Sequence, residues 1–254
     1  MIEVRNLSKS FDNKQVLKDI SAVFENGKTN LIIGRSGSGK TVLMKSIIGL
    51  HRVDAGEILY DGRDLTKMRF RDIKELRKEV GMLFQGSALF DSLTVFENVM
   101  FPLEMFSSMT KKEMVERAEF CINRVNLTEA KDKYPSEISG GMQKRAAIAR
   151  SIALNPKYLF CDEPNSGLDP QTSLVIDQLI KEITQEFDIT TIINTHDMNS
   201  VMEIGDNIIF IHEGQKEWQG SKDEIFDCKN QNLNDFVFAS DLYKKIKKAH
   251  NNNP

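Results

Sequence analysis

Eight consecutive residues constrain this chain more than any others: Gly34-Arg-Ser-Gly-Ser-Gly-Lys-Thr41. They fit the full phosphate-loop pattern G-x-x-x-x-G-K-[ST], and the flanks fit too. Leu31–Ile33 is an apolar strand candidate, and Val42–Ile48 is compatible with a helix. Glycines 34, 37 and 39 let the backbone curl until successive N–H groups point at phosphate oxygens. The helix that follows adds a favourable dipole. Arg35, Ser36 and Ser38 complete the loop, Lys40 brings charge to the β- and γ-phosphates, and the Thr41 hydroxyl can ligate Mg²⁺. The alternative, a plain glycine-rich turn, demands neither the lysine nor the threonine.

The rest of the chain alternates in the way such a loop requires. Ile20–Phe24, Glu57–Tyr60, Val80–Phe84, Tyr158–Cys161, Ile189–Ile193 and Ile208–Ile211 read as strands. Between about Phe90 and Ala153 strand character vanishes, which predicts a helical insert in an α/β core. Inside it, Thr110-Lys-Lys-Glu113 is a capping box, with Met114, Ala118, Cys121, Ile122 and Val125 on one helical face behind it. Asp169-Pro170 opens another helix, and Ser221-Lys-Asp-Glu224 predicts a short one. Asn251–Pro254 reads as a frayed end. At 40% hydrophobic and 28% charged residues, the 254-residue chain is not globally disordered. Its net charge of −3 argues against nucleic acid as a partner. No apolar run exceeds four residues, so no membrane-spanning helix is expected. The N-terminus lacks a signal peptide's apolar core. Cys121, Cys161 and Cys228 are odd in number and far apart, which suits a reducing cytoplasm.

Two further stretches carry chemistry. Tyr158-Leu-Phe-Cys-Asp-Glu163 is an apolar strand ending in two acids, where a doubly wound sheet holds its magnesium carboxylate. Asp162 suits Mg²⁺ through a water, and Glu163 suits a general base for the attacking water. Cys161 reads as a small buried hydrophobe. In Ile138-Ser-Gly-Gly-Met-Gln-Lys-Arg145, Ser139 and two glycines open a helical run and make a second anion-binding N-terminus.

The Ser139–Arg145 stretch, followed by an apolar strand ending Asp-Glu-Pro, resembles the signature of the ATP-binding cassette (ABC) ATPases. The resemblance spans about residues 1–225, with the motifs in family order. It implies a P-loop NTPase core of RecA-like α/β kind, with an N-terminal antiparallel β subdomain and a helical insert at about 86–155. Residues 226–254 are left as a helical tail. It further implies that Gln85 and Asp162 join Thr41 on Mg²⁺ and that His196 contacts the γ-phosphate. Phe11 would stack on adenine, with a core phenylalanine as the alternative. Ser139, Gly140, Gly141 and Gln143 would act on the ATP of a second copy, and Ser166, Gly167, Leu168 and Asp169 would form a dimer-contact loop. The active form is then a head-to-tail pair holding two ATP, with catalysis resting on Glu163, His196 and Lys40. His51, His212 and His250 match no motif.

A narrower resemblance lies in Met82–Val99 and Gly140–Arg150, which look like the ATPases of Mce/Mla-type phospholipid transporters. It implies an integral membrane permease and further lipid-transport subunits as partners, at the cytoplasmic face of a bacterial inner membrane. The alternatives are the ATPase of another ABC importer or a soluble cassette ATPase, such as an iron–sulfur assembly factor. A P-loop kinase or GTPase lacks a use for Ile138–Arg145. The segment holding Ala88, Leu89, Phe90, Leu93, Val95, Phe96, Val99, Met100 and Phe101 is too apolar for a small insert to bury. Part of it should line a groove for a short helix of the membrane partner. The basic run Lys244, Lys245, Lys247 and Lys248 reads as a solvated helix face.

Overall fold

The computed structural model describes residues 1–12 and 14–252, with side chains through residue 248. The N-terminal segment runs β1 (Ile2–Phe11), β2 (Lys14–Phe24), β3 (Thr29–Ile33), α1 (Lys40–Ile47), β4 (Ala55–Tyr60) and β5 (Arg63–Asp64). The middle runs α2 (Phe70–Lys78), β6 (Val80–Leu83), α3 (Val95–Phe106), α4 (Lys111–Arg124), α5 (Gly140–Ile152), β7 (Tyr158–Asp162), α6 (Pro170–Glu186) and β8 (Thr190–Asn194). The chain ends with α7 (Met198–Ile204), β9 (Asn207–His212), β10 (Gln215–Gly220), α8 (Gln231–Val237) and α9 (Asp241–Asn252). Two compact units result, residues 1–67 with 194 onwards, and residues 68–193.

The first unit holds an antiparallel sheet ordered β2-β1-β4-β5, and a second set in which β9 lies parallel to β3 and antiparallel to β10. All five residues of β3 are buried, the apolar Leu31–Ile33 together with the polar Thr29 and Asn30, as in a strand covered on both faces. At the root of β3 the buried Asn30 and Asn207 side chains bond each other at 2.7 Å, and Gln219 bonds Asn207 at 3.0 Å. β1 escapes a periodicity reading because Asn6 adopts φ 50° and shifts the register between Val4 and Leu7.

In the second unit, β6 lies parallel to β7, with β8 on the other side of β7. Helices α3, α4 and α5 bury Val95, Val99 and Leu103 against Ala118, Ile122, Ala146 and Ala149. Both α3 and α4 begin with closed capping boxes, Thr94 with Glu97 and Thr110 with Glu113. Asp169 caps α6 through the amides of Gln171 and Thr172. Among the described residues no helix is long and apolar enough to cross a membrane.

Three expectations are corrected. The Ser221/Glu224 box closes, yet residues 222–227 only turn, because the chain bends to place Ile225 wholly in the core. Lys244, Lys245 and Lys248 are exposed as expected, but Lys247 is half-buried: its ammonium bonds Asn234 Oδ1 and lies 4.4 Å from the Phe238 ring centroid, because α9 packs on α8. Asn251 and Asn252 continue α9, while Asn253 and Pro254 lie outside the described residues, as does the His250 side chain.

Asn98 was not singled out by the sequence, yet it organises the start of the insert. It is fully buried in α3. Its Oδ1 accepts from Phe90 N at 2.8 Å, and its Nδ2 donates to the carbonyls of Phe90, Leu93 and Thr94 at 2.9–3.1 Å. Asn98→Ala leaves Phe90 N and Leu93 O without a partner, each at a cost of about 1–3 kcal/mol if it stays dry, while Phe90 O and Thr94 O keep the amides of Leu93 and Asn98. A fall of roughly 3 kcal/mol in stability is expected by urea unfolding.

Candidate functional site

In the first unit the strand β3 delivers the chain into the loop Gly34–Thr41. Gly34, Gly37 and Gly39 have φ of 149°, 78° and 108°, a region that side chains disfavour. A Cβ on Gly34 would stand 2.2 Å from the Ile211 carbonyl oxygen, so no other residue fits there. Gly39 caps α1 with no side-chain bond, and the first turn of α1 carries no acid. The helix therefore offers bare N–H groups to an anion. Lys40 is buried, and its Nζ donates to the carbonyls of Gly34 at 2.8 Å and Arg35 at 3.2 Å. The Ser38 hydroxyl is buried without a hydrogen-bond partner among the described residues. An unsatisfied buried hydroxyl in this loop fits a ligand oxygen. Arg35, Ser36, Gly37 and Thr41 are exposed.

His196 belongs to the same unit, exposed on the loop between β8 and α7. Thr195 N donates to Ile32 O at 3.2 Å, which ties this loop to the end of β3 that feeds the glycine turn. Asp197 then caps α7 through Asn199 N at 2.9 Å. Phe11 is 39% exposed at the tip of β1, which rules out the core alternative. Lys9 Nζ lies 5.0 Å from its centroid and His51 meets its edge at 5.2 Å, while His212 stacks on Phe210.

The second unit gathers the remaining motifs. Asp162 ends β7 and is half-buried, like Glu163. Glu163 holds φ 48°, a left-handed conformation that costs a non-glycine residue about 1–3 kcal/mol and clusters at functional sites. Its carbonyl accepts from Ser166 N at 3.1 Å, which starts the loop of Ser166, Gly167, Leu168 and Asp169. Gln85, 81 positions earlier, donates from Nε2 to Ser166 Oγ at 3.1 Å. Ser139 caps α5, its Oγ accepting from Met142 N at 3.3 Å, so Gly140 and Gly141 form an acid-free first turn. The Gly140 position faces Leu168 Cδ2 at 3.8 Å. Gln143 turns away from this surface and bonds Pro135 O at 2.8 Å, which fixes the approach to the cap.

Sequence reasoning missed Lys144 and Arg150 of α5. Lys144 Nζ donates to Gln85 O, while Arg150 donates to Ser87 O at 2.8 Å and Ala88 O at 2.7 Å. Burial pushes both cations below their usual pKa ranges. The available signal was three cations, these two and Arg145, on a helix otherwise rich in alanine and isoleucine. Burial raises the Cys161 thiol strongly and lifts Cys121 to about 11, so both are inert packing residues.

A groove of about 870 Å³ opens beside this loop. Ala88, Phe90 and Phe101 line it, as expected of that apolar segment, together with Phe84, Met105 and Phe106. Val95, Val99 and Met100 are core residues instead. Lys74, Arg77, Lys78 and Arg150 lie on its border with Glu75, which pairs with Lys78 at 3.0 Å.

Comparison with known proteins extends this picture. Residues 17–166 match the family model described as ABC transporter. The chain is 40% identical over 230 residues to a methionine import ATP-binding protein MetN of Desulfitobacterium hafniense, covering 89% of this chain and 67% of that protein. It is 39% identical over 207 residues to a probable ribonucleotide transport ATP-binding protein of Mycobacterium leprae, covering 82% and 60% of the two chains. Among solved structures, cbiO1 of Clostridium perfringens, part of the ABC transporter complex cbiONQ, superimposes with a TM-score of 0.84 at 29% identity, covering 98% of each chain. A dimeric cassette, MJ0796, bound to ADP and Pi gives 0.77 at 30% identity, covering 87% of this chain and 99% of its own.

The contact between Gly34 and Ile211 makes a sharp test. Gly34→Ala must push the loop or β9 aside, and a displacement near 1 Å can cost about 10²-fold at a site built on geometry. Nucleotide affinity, read by titration with a fluorescent ATP analogue, is expected to fall by at least about tenfold while the far-ultraviolet spectrum is kept.

Proposed function

The chain belongs to the ABC transporter family, and from that premise we propose that it is the ATP-hydrolysing subunit of a membrane importer, paired with a second copy of itself. It has the ABC ATPase fold, and its activity is transport-coupled ATP hydrolysis. The observation that carries the site assignment is the Gly34–Thr41 cradle, with its acid-free helix start and its unsatisfied Ser38 hydroxyl.

Roles follow residue by residue. The loop amides and Lys40 bind the phosphates, Phe11 stacks on the base, and His196 contacts the γ-phosphate. Glu163 takes a proton from the attacking water. Thr41, Gln85 and Asp162 would hold Mg²⁺, a donor set of hydroxyl, amide and carboxylate oxygens that suits a hard cation. When bound, Mg²⁺ supplies charge neutralisation on the β- and γ-phosphates. Ser139, Gly140 and Gly141 act on the ATP of the second copy, supported by the exposed Ser139 and Gly140 and by the dimeric state of the related cassette. Gln143 supports that turn from behind. Ser166–Asp169 forms the dimer contact. The domain division at about residue 225 and the helical insert at about 86–155 stand as part of this reading.

The groove over Phe90 and Phe101 receives a short helix of an integral permease, which holds the subunit at the cytoplasmic face of a bacterial inner membrane. The cations of its border outnumber Glu75, which favours acidic residues on that helix. For the cargo, relatives at 36–40% identity named for methionine import favour an importer of that kind. A phospholipid cargo with further lipid-transport subunits rests on the Met82–Val99 and Gly140–Arg150 stretches alone.

Two experiments test the reading. Glu163→Gln keeps size and hydrogen bonding but removes the base, which costs about 10²–10⁴ in kcat. ATP should still bind and should stabilise a two-copy form in size-exclusion chromatography. Near-normal hydrolysis refutes the base assignment. Phe90, 42% exposed, should be replaceable by aspartate with folding and ATP binding retained. Affinity purification from membranes should recover a permease with the wild type and lose it with Phe90→Asp. ATPase stimulation of the purified complex by methionine, or by phospholipid, then decides the cargo.

A further inference from the structure

The Gln85 loop is irregular, yet it is not loose. Ser87 and Ala88 adopt φ of 61° and 50°, two consecutive non-glycine residues in the left-handed region. Such a pair persists only where the surroundings over-determine it. The surroundings here are one helix. Arg150 spreads its planar fork over both strained residues, Nη2 to Ser87 O at 2.8 Å and Nη1 to Ala88 O at 2.7 Å. Six residues earlier on the same helix, Lys144 sends its ammonium to the carbonyl of Gln85 itself. Lys144 is 4% exposed and has no carboxylate partner among the described residues. Packing alone would be served as well by leucine or methionine, since a buried charge is costly to keep. The helix is also seated without slack: a Cβ on Gly81 of β6, the strand leading into Gln85, would stand 2.3 Å from Ser151 O.

We propose that Lys144 and Arg150 are positioning residues for hydrolysis, fixing the main chain of Gln85–Ala88 from α5 and thereby aiming the Gln85 side chain. This rests on the reading of Gln85 as a Mg²⁺ ligand. The first turn of α5 carries Ser139, Gly140 and Gly141, so one rigid rod links the surface offered to the second copy with the glutamine serving the chain's own ATP. Gln85 is held at both ends, its backbone by α5 and its amide by Ser166 of the dimer-contact loop.

The test is a double-mutant cycle on the full chain, with kcat and KM for ATP measured for Lys144→Met, Arg150→Lys, Gln85→Ala and each double with Gln85→Ala. Each positioning variant is expected to lower kcat by about 10- to 10²-fold. KM should stay within about twofold, since nucleotide capture belongs to the glycine loop. In the Gln85→Ala background neither substitution should cost anything more. Losses that multiply in the doubles indicate a merely structural role and overturn the proposal. So does an unchanged kcat in both single variants while Gln85→Ala is impaired. If Lys144→Met does not fold, Arg150→Lys decides by the same criteria. Normal hydrolysis by Gln85→Ala refutes the ligand reading itself, and this proposal with it.

Discussion

The first unit depends on a place where nothing fits. The Ile211 carbonyl stands where a side chain at position 34 would have to be, so β9 presses directly on the exit of β3. Close packing of two buried parallel strands thus dictates the curl of the glycine loop. The anion cradle is a consequence of sheet packing rather than an ornament added to it. Gly81 repeats the device in the second unit, where β6 and the Ser151 carbonyl of α5 meet without an intervening side chain. In each unit an irregular loop follows a strand where a glycine, Gly81 within β6 or Gly34 just after β3, permits the approach.

Backbone satisfaction accounts for much of the rest. Residues 85–94 form no regular structure, so their carbonyls need partners from elsewhere. Three buried or half-buried side chains supply them: Lys144 and Arg150 from α5, and Asn98 from α3. These are costly residues to bury, and each is retained where a loop carbonyl would otherwise be stranded. The groove is open to solvent above a segment whose polar groups are already matched. It can therefore present Phe90 and Phe101 as a plain apolar surface.

Legibility in the sequence followed the range of the interaction. The glycine loop, the Thr110 capping box and the Asp169 cap are local, so their residues alone announce them. The alternation of strands and helices is legible because β3, β7 and β9 each hold an apolar run, Leu31–Ile33, Tyr158–Cys161 and Ile208–Ile211. β1 was hidden by a bulge at Asn6, and the Ser221 box promised a helix that the burial of Ile225 prevented. Lys144 and Arg150 were unreadable because their partners lie 59 to 63 positions away, and no local rule says which face of α5 meets them. The same holds for the meeting of Gln85 and Ser166. Lys247 was misjudged because a basic run looks the same whether its helix is solvated or laid against Phe238.

Lys40 closes on the loop it belongs to, donating to Gly34 and Arg35 across the turn. The loop's shape is therefore set during folding, with the lysine acting as its internal strut. A loop ordered before its ligand arrives leaves that ordering out of the free energy of binding. The ammonium already sits out of water, so an arriving phosphate meets a cation with little hydration left to shed. Were a phosphate to arrive, its charged oxygens would form charge-assisted bonds with that ammonium, which are stronger than bonds to neutral carbonyls.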